Sequence, residues 1–328
     1  MSDDPKFFFG DSLKNAISTF KERISFIDGL LYEHSSLMFY AGDGLGKSVI
    51  SLQMMLEASA NLPVLGSLKT LRPFKVLWVM AERHPLEVFE RIKDMEKVIP
   101  VNHQNFGVTT ELQGLNILRD DHVEKAKAIL SNSINLMGNV DIIVIDPIYA
   151  LVAGGLAKDE NDSCITRFST ILQNTFNCSV IFIHHSNRGI KDQQTGERKG
   201  EDMYGGRFLS AHFTGIYHIT KSNQTSGLQF KRDKMSHRNL LDDFHTSYDP
   251  ETYISTLEDD SVSKRDKILL ILRRMKYQNE WSDIFKISKL ANVSTQYIYK
   301  VFSRDIKDDI KKKLSSNGRT MLYQYFGT

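Results

Sequence analysis

The sequence is short of cysteine, of long apolar runs and of net charge, and each shortage removes a class of answer. Two cysteines, Cys164 and Cys178, in 328 residues cannot build the disulfide framework of a secreted scaffold. No apolar run approaches the roughly 20 residues that a membrane-spanning helix needs, and no charged, apolar and small-residue leader stands at the N-terminus. A reducing, cytoplasmic compartment with no membrane partner is therefore the expectation. Internal repeats and low-complexity blocks are also missing. The chain reads as globular, with 41% hydrophobic residues to fill a full core and a second small domain.

The formal net charge of +2 is small but unevenly placed. From Ser261 onward fifteen Lys and Arg face six Asp and Glu, whereas before it twenty-seven face thirty-four. A basic appendage on an acidic body is the pattern of a nucleic-acid-binding module attached to a catalytic one. The plain alternative is a solvated basic helical face.

What the chain does contain is an alternation of apolar strands and amphipathic helices. Strands are expected at 37–40, 75–81, 140–146, 178–184, 215–220 and 227–231, and helices at 47–60, 85–98, 122–137 and 164–177. This order implies a mostly parallel sheet wrapped by helices. Between the first strand and the first helix lies AGDGLGKS, residues 41–48. A loop of the form [Gly/Ala]-x4-Gly-Lys-Ser in that context is a phosphate cradle. Gly42, Gly44 and Gly46 let backbone N–H groups turn inward, and the helix N-terminus adds partial positive charge. The stretch Ala41, Gly42, Asp43, Gly44, Leu45, Gly46, Lys47, Ser48 and Val49 is thus the candidate ATP-binding segment. Lys47 is assigned to the terminal phosphates and Ser48 to Mg²⁺. Ala41 stands where the motif more often has glycine.

Three strand ends complete the constellation. NVDIIVIDP runs into Asp146, which fits a carboxylate orienting the magnesium ion, although buried parallel strands look like this anyway. KVLWVMAERHP ends in Glu82, the candidate general base toward the attacking water, expected on the strand beside that of the phosphate loop; the alternative is an acid that starts the following helix. CSVIFIHHSNRG ends in two histidines on opposite faces, with no ligand cluster beside them, which disfavours zinc. His185 is the candidate that senses the terminal phosphate.

In order and spacing, these stretches resemble RecA-like ATPases of the RepA-type hexameric helicase group, and more distantly the DnaB-like ring helicases. Further stretches carrying the resemblance are FIDGLLYEHSSLMFYAGDGLGKS, NDSCITRFSTIL and YGGRFLSAHFTGIYHITK, and it runs from about residue 24 to 233. It implies an α/β fold, a RecA-like phosphate-loop ATPase core, assembled as a homo-oligomer in a hexameric ring. It further implies that loops 154–163 and 187–206 face a central channel, where Arg188, Lys191, Arg198 and Lys199 would meet single-stranded DNA. GLQFKRDKMS departs from the family's Lys-x-Arg spacing, leaving Arg232 or Lys234 as the cation offered to a neighbouring subunit.

The remaining segments are read as 1–30, 31–255 and 261–328. The first places Leu13, Ala16, Ile17, Phe20 and Ile24 on one helical stripe, suited to a neighbouring subunit or to the chain's own core. The last reads as three helices and a hairpin, with Ser294 as an N-cap and an Asn-Gly turn, a small C-terminal winged helix. Its duplex DNA candidates are Gln296, Tyr297, Lys300 and Arg304 for the groove and Lys311, Lys312, Lys313 and Arg319 for phosphates; protein docking is the other use of such a module. The function expected is an ATP-driven helicase or translocase of a plasmid, phage or mobile element. A recombinase-like or regulatory ATPase using nucleotide as an assembly switch is the alternative, and a small-molecule kinase is disfavoured for want of an acceptor lid.

Overall fold

The computed structural model describes residues 9–19, 23–152, 159–185, 190–191, 198–199, 212–235, 241–250, 252, 254–258, 268–269, 271–272, 281–291, 293–304, 306–315 and 320–325. Helix α1 (Asp11–Thr19) leads into a small antiparallel pair, β1 (Ser25–Ile27) and β2 (Leu31–Tyr32). There follow β3 (Ser36–Ala41), α2 (Lys47–Ser59), β4 (Val76–Met80), α3 (Pro85–Met95), β5 (Phe106–Thr109), α4 (Asp120–Met137), β6 (Ile142–Asp146), α5 (Asp159–Phe176) and β7 (Ser179–His185). A short antiparallel pair, β8 (Ile190–Lys191) and β9 (Arg198–Lys199), precedes β10 (Gly215–Lys221), β11 (Leu228–Met235), β12 (Phe244–Asp249) and β13 (Ile254–Glu258).

Nine of these strands form one sheet in the order β13-β12-β11-β10-β3-β7-β6-β4-β5. The six from β5 to β10 are parallel, and β11, β12 and β13 extend the sheet antiparallel. Alternate residues of each central strand feed opposite faces. Phe39, Trp78, Val144 and Ile183 pack with Met54 and Met55 of α2 and Val88 and Met95 of α3. Met38, Val79, Ile145 and Phe182 pack with Leu130 of α4 and Phe168 and Leu172 of α5. Each such side chain removed from water contributes roughly 1.5–3 kcal/mol. Helices on both faces are why these strands read as unbroken apolar runs.

The α2 helix is tied to the far end of the sheet. The Gln53 side chain accepts from the Ser255 N–H at 2.8 Å and donates to its carbonyl at 2.6 Å, so the segment that begins at the phosphate loop is anchored on β13. That strand runs to Glu258, past 255, and the β1–β2 pair straddles residue 30, with Ile27 fully buried in the core. Gly227, just before β11, lies so close to β12 that a Cβ there would sit 2.0 Å from the Thr246 carbonyl oxygen. In contrast, α1 has no buried residue, and Leu13 and Ile17 of its apolar stripe are exposed.

The tail builds a separate small core. Strands β14 (Ser282–Asp283), β15 (Ile310–Leu314) and β16 (Met321–Tyr325) pair in the order β14-β16-β15, with α6 (Ile284–Ala291) and α7 (Thr295–Arg304) packed on them through Ile287, Ile298, Val301, Phe302 and Tyr323. Asp283 caps α6 by accepting from the Lys286 N–H at 2.8 Å, and the Ser294 hydroxyl accepts from the Tyr297 N–H at 3.3 Å at the start of α7. The hairpin of β15 and β16 pairs Leu314 with Met321; its Asn-Gly turn and Arg319 lie outside the described residues.

Candidate active site

All four expected strand-end groups lie at the carboxyl edge of the parallel strands, where doubly wound sheets place their ligand sites. The phosphate loop leaves β3 and enters α2 through Gly46, in the left-handed region at φ 84° and without a side-chain cap. Gly44 shares the positive φ, at 76°, and an added Cβ at either glycine would meet no protein atom within 4 Å. The glycines therefore serve the backbone turn and keep the concavity clear, which suits a bulky anion on the helix N-terminus.

Lys47 is 6% exposed and its ammonium lies 3.0 Å from Nδ1 of His185. Burial pulls its pKa below the usual lysine range, against the carboxylates of Asp43 and Asp146. The Ser48 hydroxyl donates to Asp146 Oδ1 at 3.0 Å. Asp146 keeps a solvent-facing edge, but the protein around its carboxyl pushes the pKa up to about 6, opposed by the Ser48 hydrogen bond. Two hard oxygen donors side by side, one a carboxylate whose charge is poorly compensated, are a donor set that fits Mg²⁺. That ion, when bound, would screen and polarise phosphate oxygens.

His185 half-faces solvent while His184 is buried, as the alternation of a strand requires. Its Nδ1 lies 2.5 Å from Asp43 Oδ1 as well as 3.0 Å from Lys47 Nζ. One ring nitrogen cannot donate to Asp43 and accept from Lys47 at once. Nδ1 can therefore serve Asp43 or Lys47 but not both, and burial, then the Lys47 charge, lower the pKa of the imidazole against the Asp43 carboxylate.

Glu82 follows β4, and this corrects the sequence expectation of a strand adjacent to the phosphate-loop strand. Two strands, β7 and β6, lie between β3 and β4. Glu82's real neighbour is the Asp146 strand: Met80 pairs with Asp146, and the Ala81 N–H donates to the Asp146 carbonyl at 2.9 Å. The exposed Glu82 joins the rest of the site through Tyr149, a residue that sequence reasoning missed. The Tyr149 hydroxyl donates to Glu82 Oε2 at 2.5 Å, and its ring meets that of His185 edge-on at 4.6 Å. The signal available was only its place three residues after Asp146, in DPIY. Arg83, next along, pairs with Glu87 at 2.8 Å at the start of α3, whose N-cap is His84.

Other expected residues lie apart from this cluster. Arg232 on β11 stands opposite Tyr217, which stands beside Phe39, so it lies back from the phosphate-loop end of β3. Its guanidinium pairs with Asp242 at 2.6 Å. The side chain of Lys234 and Arg188 lie outside the described residues. So do the side chains of Lys191, Arg198 and Lys199, whose backbones pair in β8 and β9. The loop expected at 154–163 is overturned in its second half: α5 starts at Asp159, and Asp162 is fully buried. Acidic residues at a helix start explain why a polar stretch is helical there. In the tail, Gln296, Lys300 and Arg304 are exposed on α7, and Lys311, Lys312 and Lys313 on β15. Tyr297 instead packs against the tail core.

A family model described as an AAA domain matches residues 6–190, more than half of the chain. The chain belongs to that family. With its nine-stranded, mostly parallel sheet between helical layers, it is a RecA-like phosphate-loop ATPase. Among solved structures it is similar to a KaiC-like protein from the hyperthermophilic archaeon Pyrococcus horikoshii OT3, with 12% identity, a TM-score of 0.48, and coverage of 73% of this chain and 99% of that one. No curated protein matches. Among the described residues, no helix is long and apolar enough to cross a membrane.

Proposed function

We propose that this ATPase is a ring-forming, ATP-driven motor on DNA, a helicase or translocase. The observation that carries the reading is the unbroken line of contacts from Lys47 through His185 and Tyr149 to Glu82. It links the phosphate loop to the candidate base at the point where β7 hands over to the charged segment after residue 186. A motor needs such a link, because the state of the nucleotide has to reach the DNA-contacting loop. The exposed α1 stripe of Leu13 and Ile17 supports assembly, and the exposed cations of α7 and β15 support a winged-helix tail on duplex DNA.

In this reading Lys47 binds the terminal phosphates of ATP, while Ser48 and Asp146 hold Mg²⁺. Glu82 accepts a proton from the attacking water as the new oxygen–phosphorus bond forms and the bond to the bridging oxygen breaks. His185 moves between its Lys47 and Asp43 partners as phosphate oxygens claim the ammonium. Lys191, Arg198, Lys199 and Arg188 supply contacts to single-stranded DNA.

Strand displacement on a forked duplex tests the proposal. Displacement is expected with ATP and Mg²⁺, and none with a non-hydrolysable analogue or in Lys47→Ala, which should lose ATP binding. Nucleotide-dependent filaments on DNA with no displacement and no directional movement would replace the motor by an assembly switch.

A further inference from the structure

Tyr149 belongs to none of the motifs used above, yet it touches both ends of the site. It sits in a short 3-10 turn, Ile148–Leu151, directly after the Asp146 strand, and its neighbours Ile148 and Leu151 are fully buried. Its backbone is thereby anchored in the core while its side chain reaches outward. The hydroxyl donates to Glu82 Oε2 at 2.5 Å, and among the described residues Glu82 Oε1 accepts no hydrogen bond. The other contact is the edge-on ring of His185 at 4.6 Å and 69°.

We propose that Tyr149 is a positioning residue for hydrolysis, holding the Glu82 carboxylate by one oxygen so that the other addresses the attacking water. This rests on the reading of Glu82 as the general base. A glutamate on an exposed loop spreads over several rotamers, and few of them point an oxygen at one place. A fixed donor on Oε2 selects among them, and general-base efficiency depends on that geometry. The phenol is suited to the task because burial, and then the Glu82 carboxylate itself, raises its pKa well above the usual tyrosine value. It stays a donor throughout the working range. Its ring contact gives the held carboxylate a mechanical connection to His185, so a change of partner at His185 is felt at Glu82.

The test is Tyr149→Phe in the full chain, which keeps the ring and removes the donor. Steady-state ATPase gives kcat and KM, a fluorescent ATP analogue gives affinity, and single-turnover rates resolve the slow variants. About a 10-fold fall in kcat is expected, with KM and affinity within about 2-fold of the parent. In a Glu82→Gln background the same substitution should cause no further loss, since the carboxylate it positions is gone. A parental kcat for Tyr149→Phe, with Glu82→Gln slow, overturns the role of Tyr149 alone. So does an equal, additive loss in the Glu82→Gln background, which would mark a structural contribution. A parental kcat for Glu82→Gln removes the base assignment itself and this proposal with it.

Discussion

The core and the tail use positive charge in opposite ways. In the core the decisive cation, Lys47, is 6% exposed, held at the start of a buried helix and aligned by His185. In the tail three consecutive lysines, Lys311, Lys312 and Lys313, stand exposed along β15, with Lys313 over the Trp281 ring at 4.2 Å and Lys312 over Tyr323 at 5.9 Å. A buried ammonium acts at one point, in a low dielectric, and loses much when displaced. An exposed row acts as a diffuse field that any polyanion can meet, with a strong dependence on salt. The first arrangement suits one reaction and the second suits retention on a charged polymer.

Arg232 sits between these extremes and gives the largest expected effect. Its side chain is 25% exposed and pairs with the solvent-facing Asp242, which is 85% exposed, and its guanidinium also reaches the Leu241 carbonyl at 3.4 Å. An ion pair with so exposed a partner contributes little to stability. Its register sets it back from the loop end of β3, so the finger role proposed for it is one toward a neighbouring subunit's phosphates. Arg232→Ala is expected to lower ATPase by roughly 10³ with little change in thermal unfolding. Mixing it with Glu82→Gln subunits, which carry an intact arginine but no base, should restore part of the rate. Lys234→Ala, tested in the same way, decides between the two cations. Full activity of both variants would make each site self-contained and leave the core with Lys47 as its functional cation.

The tail offers the middle-sized effect. Replacing Lys311, Lys312 and Lys313 together by alanine removes three exposed charges and leaves every buried side chain of the tail core in place, at the loss of the Lys312 contact over Tyr323. Duplex affinity should fall, and the slope of log affinity against log salt should shrink by about 3, at roughly 0.9 per lost phosphate contact. Basal ATPase should stay parental. An unchanged salt slope would make the row a solvated face and turn the tail toward protein docking.

How much of this was readable in the sequence differs along the chain for physical reasons. β3, β4, β6 and β7 are buried on both faces, so each shows as an apolar run, and the glycines and Lys-Ser of the loop have few other uses. The strands that sequence reasoning missed are short or polar. β5 is FGVT, and β12 and β13, FHTSYD and ISTLE, lie at the far edge and mix buried with half-buried positions. The apolar periodicity starts α5 only at Cys164 because its first turn, from Asp159, is polar, although acids favour that position. Tyr149 carried no pattern at all, since a side chain in a one-turn helix is placed by tertiary packing and not by periodicity. Spatial order was the other loss: the sequence gives strand ends, but only the sheet order puts Glu82 beside Asp146.

The smallest expected effect sharpens the contrast at its buried end. The fold disfavours the charged form of His185, because burial and then the Lys47 charge lower its pKa below the ordinary value near 6.5. In the unfolded chain it titrates normally. Below about pH 6.5 the unfolded state therefore binds a proton that the folded state resists, and stability is lost as pH falls through that range; above it the group costs nothing. His185→Gln cannot take up that proton. The variant should gain on the parent by about a degree or two in unfolding temperature between pH 8 and pH 5.5, whatever its offset at pH 8. Thermal unfolding of both proteins across that range, without nucleotide, is the measurement. A variant that tracks the parent at every pH would show that His185 protonates freely in the fold. It would then be solvated like the lysines of the tail, and the two-state contact with Lys47 and Asp43 would carry no signal.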